Sequence, residues 1–273
     1  MRARDLAFTV KRGVAFGVRD HAPVPRPPSV VRTGQAPTAS VYAISRRRNE
    51  PTLRRLMDDA QRHGWPAHVW ALDGTDGGLG PVVRGTGSGD KFTLLQRLLD
   101  EHPPREGDHV VIADDDVTVV HGDLSLLLRY QRAAGLDLAQ PAHARFHNVS
   151  HGTTVRRVLT LVRHTTFVEI GPLFVIAPHA RPKILPFPAD AGMGWVLNIS
   201  WVARARTDLV LGVVDGVLME HHGKIAVEYD DQRDALEAGL AAALAAAGYS
   251  DLTDAQRRLG SWYRWQRTAP WVR

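Results

Sequence analysis

The chain has 273 residues, of which 44% are hydrophobic and 23% charged, a composition typical of a globular domain that buries a sizeable core. It has no cysteine, which excludes a disulfide framework and a thiolate metal site and leaves oxygen and imidazole groups as metal ligands. The formal net charge of +5 suits a protein that handles anionic nucleotides or lies near anionic lipids. Because the basic residues are scattered along the chain, we expect no nucleic-acid partner.

Residues 1–38 are rich in proline and poor in aliphatic clusters, and we predict that they form an extended or disordered N-terminal arm. The basic piece at 1–19 contains no continuous apolar stretch, which argues against a secretory signal and favours a cytoplasmic protein. The same basic piece is suited to a peripheral contact with a membrane.

Strand-like and helix-like patterns alternate from residue 39 onward. Short apolar runs at 39–44, 68–72 and 109–113 predict strands, and the stretches between them carry apolar residues at helical spacing. This alternation predicts an α/β fold with a Rossmann-like, mixed, mostly parallel sheet flanked by helices. We expect one domain over 39–228.

The second half of the chain is less regular. The patterns predict strands at 167–177 and 209–219 and a helix at 194–205. An alanine-rich helix at 229–248 begins a helical extension over 229–273, which we expect to pack on the domain.

Three consecutive carboxylates, Asp114, Asp115 and Asp116, follow the apolar run at 109–113. Neighbouring carboxylates at the end of a buried strand repel one another and are poorly solvated, and a divalent cation relieves that repulsion. Mg²⁺ and Mn²⁺ prefer such oxygen ligands and often share them with substrate phosphates. The alternative is a solvated loop that caps the next helix, but the strand immediately before the aspartates favours a metal site.

Ligands of open α/β sheets bind outside the carboxyl ends of the strands. Ser45, Asp73 and the three aspartates each follow a predicted strand, so we expect them at one edge of the sheet. Lys91 opens a predicted helix after a glycine-rich segment and is suited to a phosphate contact, with a solvated lysine as the alternative.

Several motifs resemble a known group of enzymes. The sequence Val-Ile-Ala-Asp-Asp-Asp-Val at 111–117 resembles the DXD-bearing strand of GT-A glycosyltransferases, and Asp-Gly-Thr-Asp-Gly at 73–77 is similar to the acidic turn with which many of them hold the nucleotide base. The chain from about 110 to 224 also resembles an uncharacterised, plant-abundant family, a domain of unknown function related to GT-A enzymes. The matching stretches are 139–142, 151–157, 167–174, 194–195, 212–216 and His221.

The resemblance implies a glycosyltransferase that moves a sugar from a nucleotide-diphosphate sugar to an acceptor hydroxyl. Asp114 and Asp116 would hold Mn²⁺ or Mg²⁺ on the donor diphosphate, with Asp114 or Asp115 also near the ribose. Ser45, Asp73 and Lys91 would contact the donor as well.

The resemblance also implies an imidazole ligand from the C-terminal half. His221 is expected in that role, with His222 as its rival, because neighbours on a strand point to opposite faces and only one can reach the site. Either histidine could instead be an ordinary surface or core residue.

An inverting transfer needs a general base near the acceptor hydroxyl. The relatives carry an aspartate three residues after the tryptophan that matches Trp195, and this chain has Asn198 there, which cannot act as a base. Glu169, and after it Asp190, are the expected substitutes. A retaining transfer would need no such base, and the sequence leaves the stereochemistry and the acceptor open.

Two other functions fit the same residues. A metal-dependent phosphotransferase or phosphohydrolase could use the carboxylates, but the glycine-rich segment 85–91 lacks the Gly-Lys-Ser/Thr ending of a P-loop. A non-catalytic basic binding protein would need the aspartates only for structure.

Overall fold

The computed structural model describes residues 23–33, 36–144, 149, 151–189, 191–192, 194–205, 207–223 and 233–272. In this part of the chain ten strands form one sheet. They are β1 Ala39–Ser45, β2 Ala67–Ala71, β3 Val83–Thr86, β4 His109–Asp114, β5 Val117–His121, β6 Leu138–His143, β7 Thr160–Thr165, β8 Leu173–Ile176, β9 Leu211–His221 and β10 Arg258–Tyr263.

Helices cover the sheet and connect its strands. They are α1 Ser29–Arg32, α2 Glu50–Arg62, α3 Lys91–Glu101, α4 Leu124–Ala133, α5 Arg181–Ile184, α6 Trp195–Arg204, α7 Arg233–Ala246 and α8 Leu252–Ala255, with short 3₁₀ turns at Arg47–Asn49, Gly80–Val82 and Pro178–Ala180.

The strands lie in the order β10-β7-β9-β6-β8-β4-β1-β2-β3, and β5 pairs with β9 away from this path. β1 is parallel to β2 and β4, β2 to β3, and β6 to β9, whereas the other pairings are antiparallel. Following these pairings through the sheet, all strands run in one direction except β5, β7 and β8. The predicted mixed, mostly parallel sheet flanked by helices is therefore confirmed.

Strand alternation divides the core into two layers. On β1, Val41 joins the cluster packed under α2 and α4, which contains Leu53, while Tyr42 joins the opposite cluster, which contains Phe92 of α3 and Trp201 of α6. Successive side chains of a strand point to opposite faces, so a strand that is apolar throughout requires helices on both sides. The continuous apolar runs of the sequence therefore indicate buried, central strands.

The run at 167–177 is not one strand, because only Leu173–Ile176 joins the sheet as β8. The backbone N–H of Asp114 donates to the Pro172 carbonyl at 2.7 Å, so the segment before β8 runs beside the carboxyl end of β4. A continuous strand would carry residues 168–171 along the sheet and away from this position.

The C-terminal extension contains a strand as well as helices. α7 packs on α6 through a small cluster that includes Ile199 and Leu244, and β10 pairs antiparallel with β7. Trp262 of β10 is fully buried against Tyr130. The predicted helical extension missed β10 because its six residues, with Arg258, Gly260 and Ser261 among them, show no clear apolar alternation.

Part of the predicted arm is ordered on the domain. α1 inserts Val31, which is 1% exposed, into the main core cluster. Residues 1–22 and 34–35 lie outside the described part of the chain. None of the described helices is both long and apolar enough to cross a bilayer.

A buried ion pair joins β7 to β9. Arg163 is 1% exposed, and its Nε and one terminal nitrogen donate to the two carboxylate oxygens of Asp215 at 2.8 and 2.9 Å. Asp215 also accepts bonds from the Thr160 hydroxyl and the Arg157 backbone, and Arg163 donates to the Val155 carbonyl. Both charges are thus satisfied where water cannot reach them.

We predict that Asp215→Asn lowers the free energy of unfolding by about 3–5 kcal/mol, because it leaves the Arg163 charge buried without its counter-ion. Urea unfolding measures this loss. Glu101→Gln is the control, since it removes an exposed i,i+4 pair with Arg97 and should cost at most about 0.5 kcal/mol. Equal losses in the two variants would contradict a structural role for the buried pair.

Candidate active site

The predicted residues at the strand ends do meet at one edge of the sheet. Ser45 ends β1 beside Ala71 at the end of β2, and Ile44 of β1 is paired with Asp114 at the end of β4. Asp73 follows β2 at the same edge. The parallel register of β1, β2 and β4 therefore places these polar residues around one end of the sheet.

Each of the three aspartates has a different partner. Asp114 Oδ1 lies 2.5 Å from Lys91 Nζ, and both side chains are partly shielded from water. Lys91 also donates to the Ile170 carbonyl at 3.4 Å. A Cβ added at Gly171 would lie 2.6 Å from Asp114 Oδ2, so only a glycine allows the 170–171 backbone to approach this close to the pair.

Asp115 is turned into the protein and not toward Lys91. It is 3% exposed and accepts bonds from the backbone N–H of Arg46 and from the Asn49 side chain. Burial raises the pKa of Asp115 to about 6, against the lowering effect of these bonds. Its carboxylate thereby fixes the turn after β1, and a place for Asp115 near the donor ribose stays a prediction.

Asn49 occupies the N-cap position of α2, yet its side chain makes no capping bond there. Its amide serves the buried carboxylate of Asp115 instead.

Asp116 faces His221. His221 Nε2 lies 3.1 Å from Asp116 Oδ1, yet this buried oxygen accepts no well-aligned hydrogen bond within the described part of the chain. Any side chain at Gly223 would collide with Asp116 Oδ2. His222 points elsewhere, with its Nε2 2.9 Å from the Thr118 hydroxyl, as strand alternation requires.

The electrostatics of this pair favour charges on both partners. Burial alone would raise the pKa of Asp116, but the adjacent His221 imidazole, together with the charge of Lys91, holds it below its usual value. Burial alone would lower the pKa of His221, but Asp116, with weaker contributions from Asp114 and Glu169, raises it. Each partner therefore favours the charged form of the other.

The predicted set of three metal ligands is not assembled as one cluster. Within the described ranges no group of three histidine or acidic side chains is arranged to hold a metal ion. Asp116 and His221 are in contact, while the Asp114 carboxylate is turned to Lys91. The three residues nevertheless lie near one another, because Asp116 contacts His221 and Asp114 is only two residues before Asp116.

The acidic turn after β2 is tied to the start of α2. Asp73 Oδ1 accepts from the Arg47 backbone at 2.7 Å, and Asp76 forms an ion pair with the Arg47 side chain. The Asp76 backbone donates to Glu50 Oε1 at 3.0 Å. Ser45 is 1% exposed, its hydroxyl donates to the Arg46 carbonyl at 3.3 Å, and its contact with a donor stays a prediction.

Glu169 lies in a cluster of buried polar side chains. Its Oε2 lies 2.7 Å from His143 Nε2 and 3.4 Å from the Gln140 amide nitrogen, and Gln140 Oε1 accepts from the Glu169 backbone. His151 Nε2 lies 4.0 Å from Oε1. Burial alone would raise the pKa of Glu169, but His143, His151 and Gln140 hold it below its usual value, so the group is a carboxylate.

Glu169 is next to the aspartate site. The two residues after Glu169 in the chain contact that site. The Ile170 carbonyl accepts a hydrogen bond from Lys91, and Gly171 packs on Asp114. Asn198, the residue in the position of the expected base, donates to the Val168 carbonyl at 2.7 Å and thereby holds this segment. Asp190 lies outside the described residues.

Gln140, His143 and His151 were missed from the sequence as site residues. Gln140 and His143 are polar residues near the carboxyl end of the otherwise apolar strand β6, and both are buried. Buried polar groups at that end of a strand are a signal that could have found them. His151 lies in a turn, and only the folded chain brings it to Glu169.

No family model matches the chain, and no curated protein does. Among solved structures, it is similar to GalNAc-T7 in complex with UDP, GalNAc and Mn²⁺, with 10% identity, 70% of this chain and 44% of that chain covered, and a TM-score of 0.49. It is also similar to S. aureus TarS 1–349 in complex with UDP-GlcNAc, with 14% identity, 76% and 66% of the two chains covered, and a TM-score of 0.47.

Without ligand, the same TarS fragment gives 12% identity, 75% of this chain and 65% of that chain covered, and a TM-score of 0.46. The chain thus spans less than half of the GalNAc-T7 chain and just under two thirds of the TarS fragment. These likenesses are weak, and the α/β fold class rests on the order and directions of this chain's own strands.

Proposed function

We propose that the protein is a metal-dependent glycosyltransferase that moves a sugar from a nucleotide-diphosphate sugar to an acceptor hydroxyl. The observation that carries the proposal is the Asp116–His221 pair at the carboxyl edge of the sheet. The neighbouring Lys91 and the carboxylate of Glu169 supply the other two functions that such a transfer needs, a cation for phosphate and a base.

The residues fit a hard divalent ion. Asp116 Oδ1 is buried beside an imidazole and accepts no well-aligned hydrogen bond from any described residue, although a buried carboxylate oxygen normally has a donor. One carboxylate and one imidazole suit Mn²⁺ or Mg²⁺, which keep several water or phosphate oxygens in their coordination spheres. When bound, such an ion would neutralise the diphosphate that leaves the sugar.

Lys91 is the phosphate-binding residue in this proposal. Its ammonium group is paired with Asp114 in a partly shielded position, so it is desolvated before any ligand arrives. A donor phosphate close to the Asp114–Lys91 pair would share the Lys91 charge. The side chain of Asp114 would then be released to join Asp116 near the metal.

Glu169 is the general base in an inverting transfer. The bond from the anomeric carbon to the diphosphate breaks, a bond to the acceptor oxygen forms, and the acceptor proton passes to Glu169. His143 and Gln140 orient the carboxylate by their bonds to Oε2, and they keep it ionised at neutral pH.

We expect one class of nucleotide sugar to raise the melting temperature when Mn²⁺ is present, and Asp116→Asn to abolish the effect. Ligand at about a hundred times its Kd stabilises the native state by about 2.7 kcal/mol, a shift of roughly 5–10 °C for a chain of this size. A thermal-shift screen of UDP-, GDP-, dTDP- and CMP-sugars with and without Mn²⁺ measures it.

Asp100→Asn is the matched control, because Asp100 is an exposed residue of α3 whose side chain accepts a hydrogen bond from Gln96 on the same helix. It should retain the full shift. If no donor shifts the wild type at saturating concentration, the transferase proposal is wrong. Release of phosphate from donors without sugar transfer would support a phosphohydrolase instead.

A second prediction separates donor binding from chemistry. Glu169→Gln should keep the metal-dependent melting shift but lower transfer of the sugar, or its hydrolysis with water as acceptor, by about 10²–10⁴-fold. The pKa of Glu169 in the folded protein is lowered, so the carboxylate stays ionised as the pH falls. The wild-type rate should therefore stay constant and decline only at a pH below the usual pKa of a glutamate. Release of nucleoside diphosphate against pH measures both effects.

Glu101→Gln, on the exposed face of α3, should leave the rate and its pH profile unchanged. A Glu169→Gln variant with full turnover would remove Glu169 as the base and favour a retaining transfer.

A further inference from the structure

The C-terminal segment has a basic and aromatic character that the proposed chemistry does not use. Residues 256–272 contain four arginines, three tryptophans and one tyrosine, and no acidic residue. Trp262 is buried, and Trp271 donates to the Ala134 carbonyl at 2.8 Å. Trp265, in contrast, has 64% of its surface exposed.

Several hydrogen bonds and a ring stack connect the residues of the turn that carries Trp265. Gln266 accepts bonds from the Tyr263 backbone through its side chain and from the Trp262 indole through its carbonyl, and its own N–H donates to Tyr263. The Tyr263 and Trp265 rings stack at 4.8 Å with an interplanar angle of 2°. The exposed indole is therefore held in place and is not a loose surface side chain.

Leu159 lies beside this turn in an unusual conformation. Its φ is 72°, in the left-handed region, and the Arg264 backbone donates to its carbonyl at 3.0 Å. A leucine seldom adopts this conformation, yet here the backbone holds an aliphatic side chain that is 38% exposed. Strain of this kind is typically kept at functional positions.

These side chains lie at the same edge of the sheet as the candidate active site. β10 runs in the direction of β4, so Tyr263 at its end is on the edge where β4 ends at Asp114. β7 runs the opposite way, so Leu159, which directly precedes it, is on that edge too. We name Leu159, Tyr263, Arg264, Trp265 and Arg267 the basic aromatic rim.

We propose that the basic aromatic rim docks on an anionic lipid bilayer. Arg264 and Arg267 are exposed, and neither side chain has an ion pair with any described residue, so both charges are available to phosphate headgroups. Tryptophan and tyrosine favour the boundary between headgroups and acyl chains, where an aliphatic side chain such as Leu159 can also be buried.

The aliphatic side chain also distinguishes a bilayer from a nucleic acid. Bases stack on Trp265 and phosphates pair with arginine, but Leu159 has neither a ring nor a charge to offer them. Docking at this edge would present the candidate active site to the membrane surface. If the proposed transfer is correct, the acceptor hydroxyl belongs to a lipid-anchored molecule, and this last step alone rests on the proposed function.

Sedimentation with vesicles tests the docking without any donor or activity. We expect the full chain to bind vesicles of phosphatidylcholine mixed with an equal amount of phosphatidylglycerol, and to bind pure phosphatidylcholine at least about tenfold more weakly. Arg264→Gln should weaken binding to the anionic vesicles about fivefold, and Trp265→Ser about tenfold. Salt at about 0.5 M should reduce the binding of the wild type.

The variant Leu159→Asn tests the contribution of Leu159 to vesicle binding without destabilising the fold. Asparagine tolerates the left-handed conformation, so this variant should unfold at the same or a higher urea concentration while its vesicle binding falls about fivefold. Arg55→Gln, which removes an exposed charge from α2, is the matched control and should change binding less than about twofold.

Equal binding of wild type and rim variants to anionic vesicles would overturn the proposal, as would no binding at all. Loss of binding to a single-stranded oligonucleotide in the rim variants, with vesicles unbound by the wild type, would assign the rim to nucleic acid instead. A failed transferase assay leaves the vesicle result standing.

Discussion

Three carboxylates in succession must each be satisfied within a few ångströms of one strand end, and the surroundings of the candidate site follow from that constraint. Asp114 is neutralised by Lys91, Asp115 by backbone and amide donors, and Asp116 by an imidazole. Each solution fixes a different part of the chain: the start of α3, the turn after β1 and the end of β9. Because each carboxylate needs its own partner, the three aspartates together hold these three segments close to the end of β4.

The parts of the fold set by local pattern could be predicted from the sequence. The central strands β1, β2 and β4 are buried along almost their whole length because helices cover both faces, and predominantly apolar runs of this kind are typical of buried parallel strands. The edge position of Ser45, Asp73 and the aspartates then follows from the topology alone. β10 could not be found this way, because its alternation is broken by Gly260 and by a register shift against β7.

The site could be predicted only in part, for a physical reason. Position along a strand shows which edge a residue occupies, but not which partner its side chain will choose. In the sequence, Asp115 cannot be told apart from Asp114 and Asp116 as a candidate ligand. In the fold, hydrogen bonds from the Arg46 backbone and the Asn49 side chain direct its carboxylate into the protein. Glu169 was identified, whereas His143 comes from a different strand and His151 from a turn, so their meeting with Glu169 depends on the packing of distant segments.

The pairing of β5 with β9 has a consequence for how the Asp116 site could change in evolution. Asp116 directly precedes β5, and Val117 is paired with His221, so the imidazole beside Asp116 is selected by the alignment of two strands. A slip of one residue in that ladder would bring Glu220 or His222 opposite Val117 and reverse which side chains face the site. The β5–β9 ladder already contains an irregularity between Val119 and His121, so its two strands are not in strict register along their whole length. The chemistry of the site could therefore be changed by the gain or loss of one residue in either of these paired strands, without any substitution.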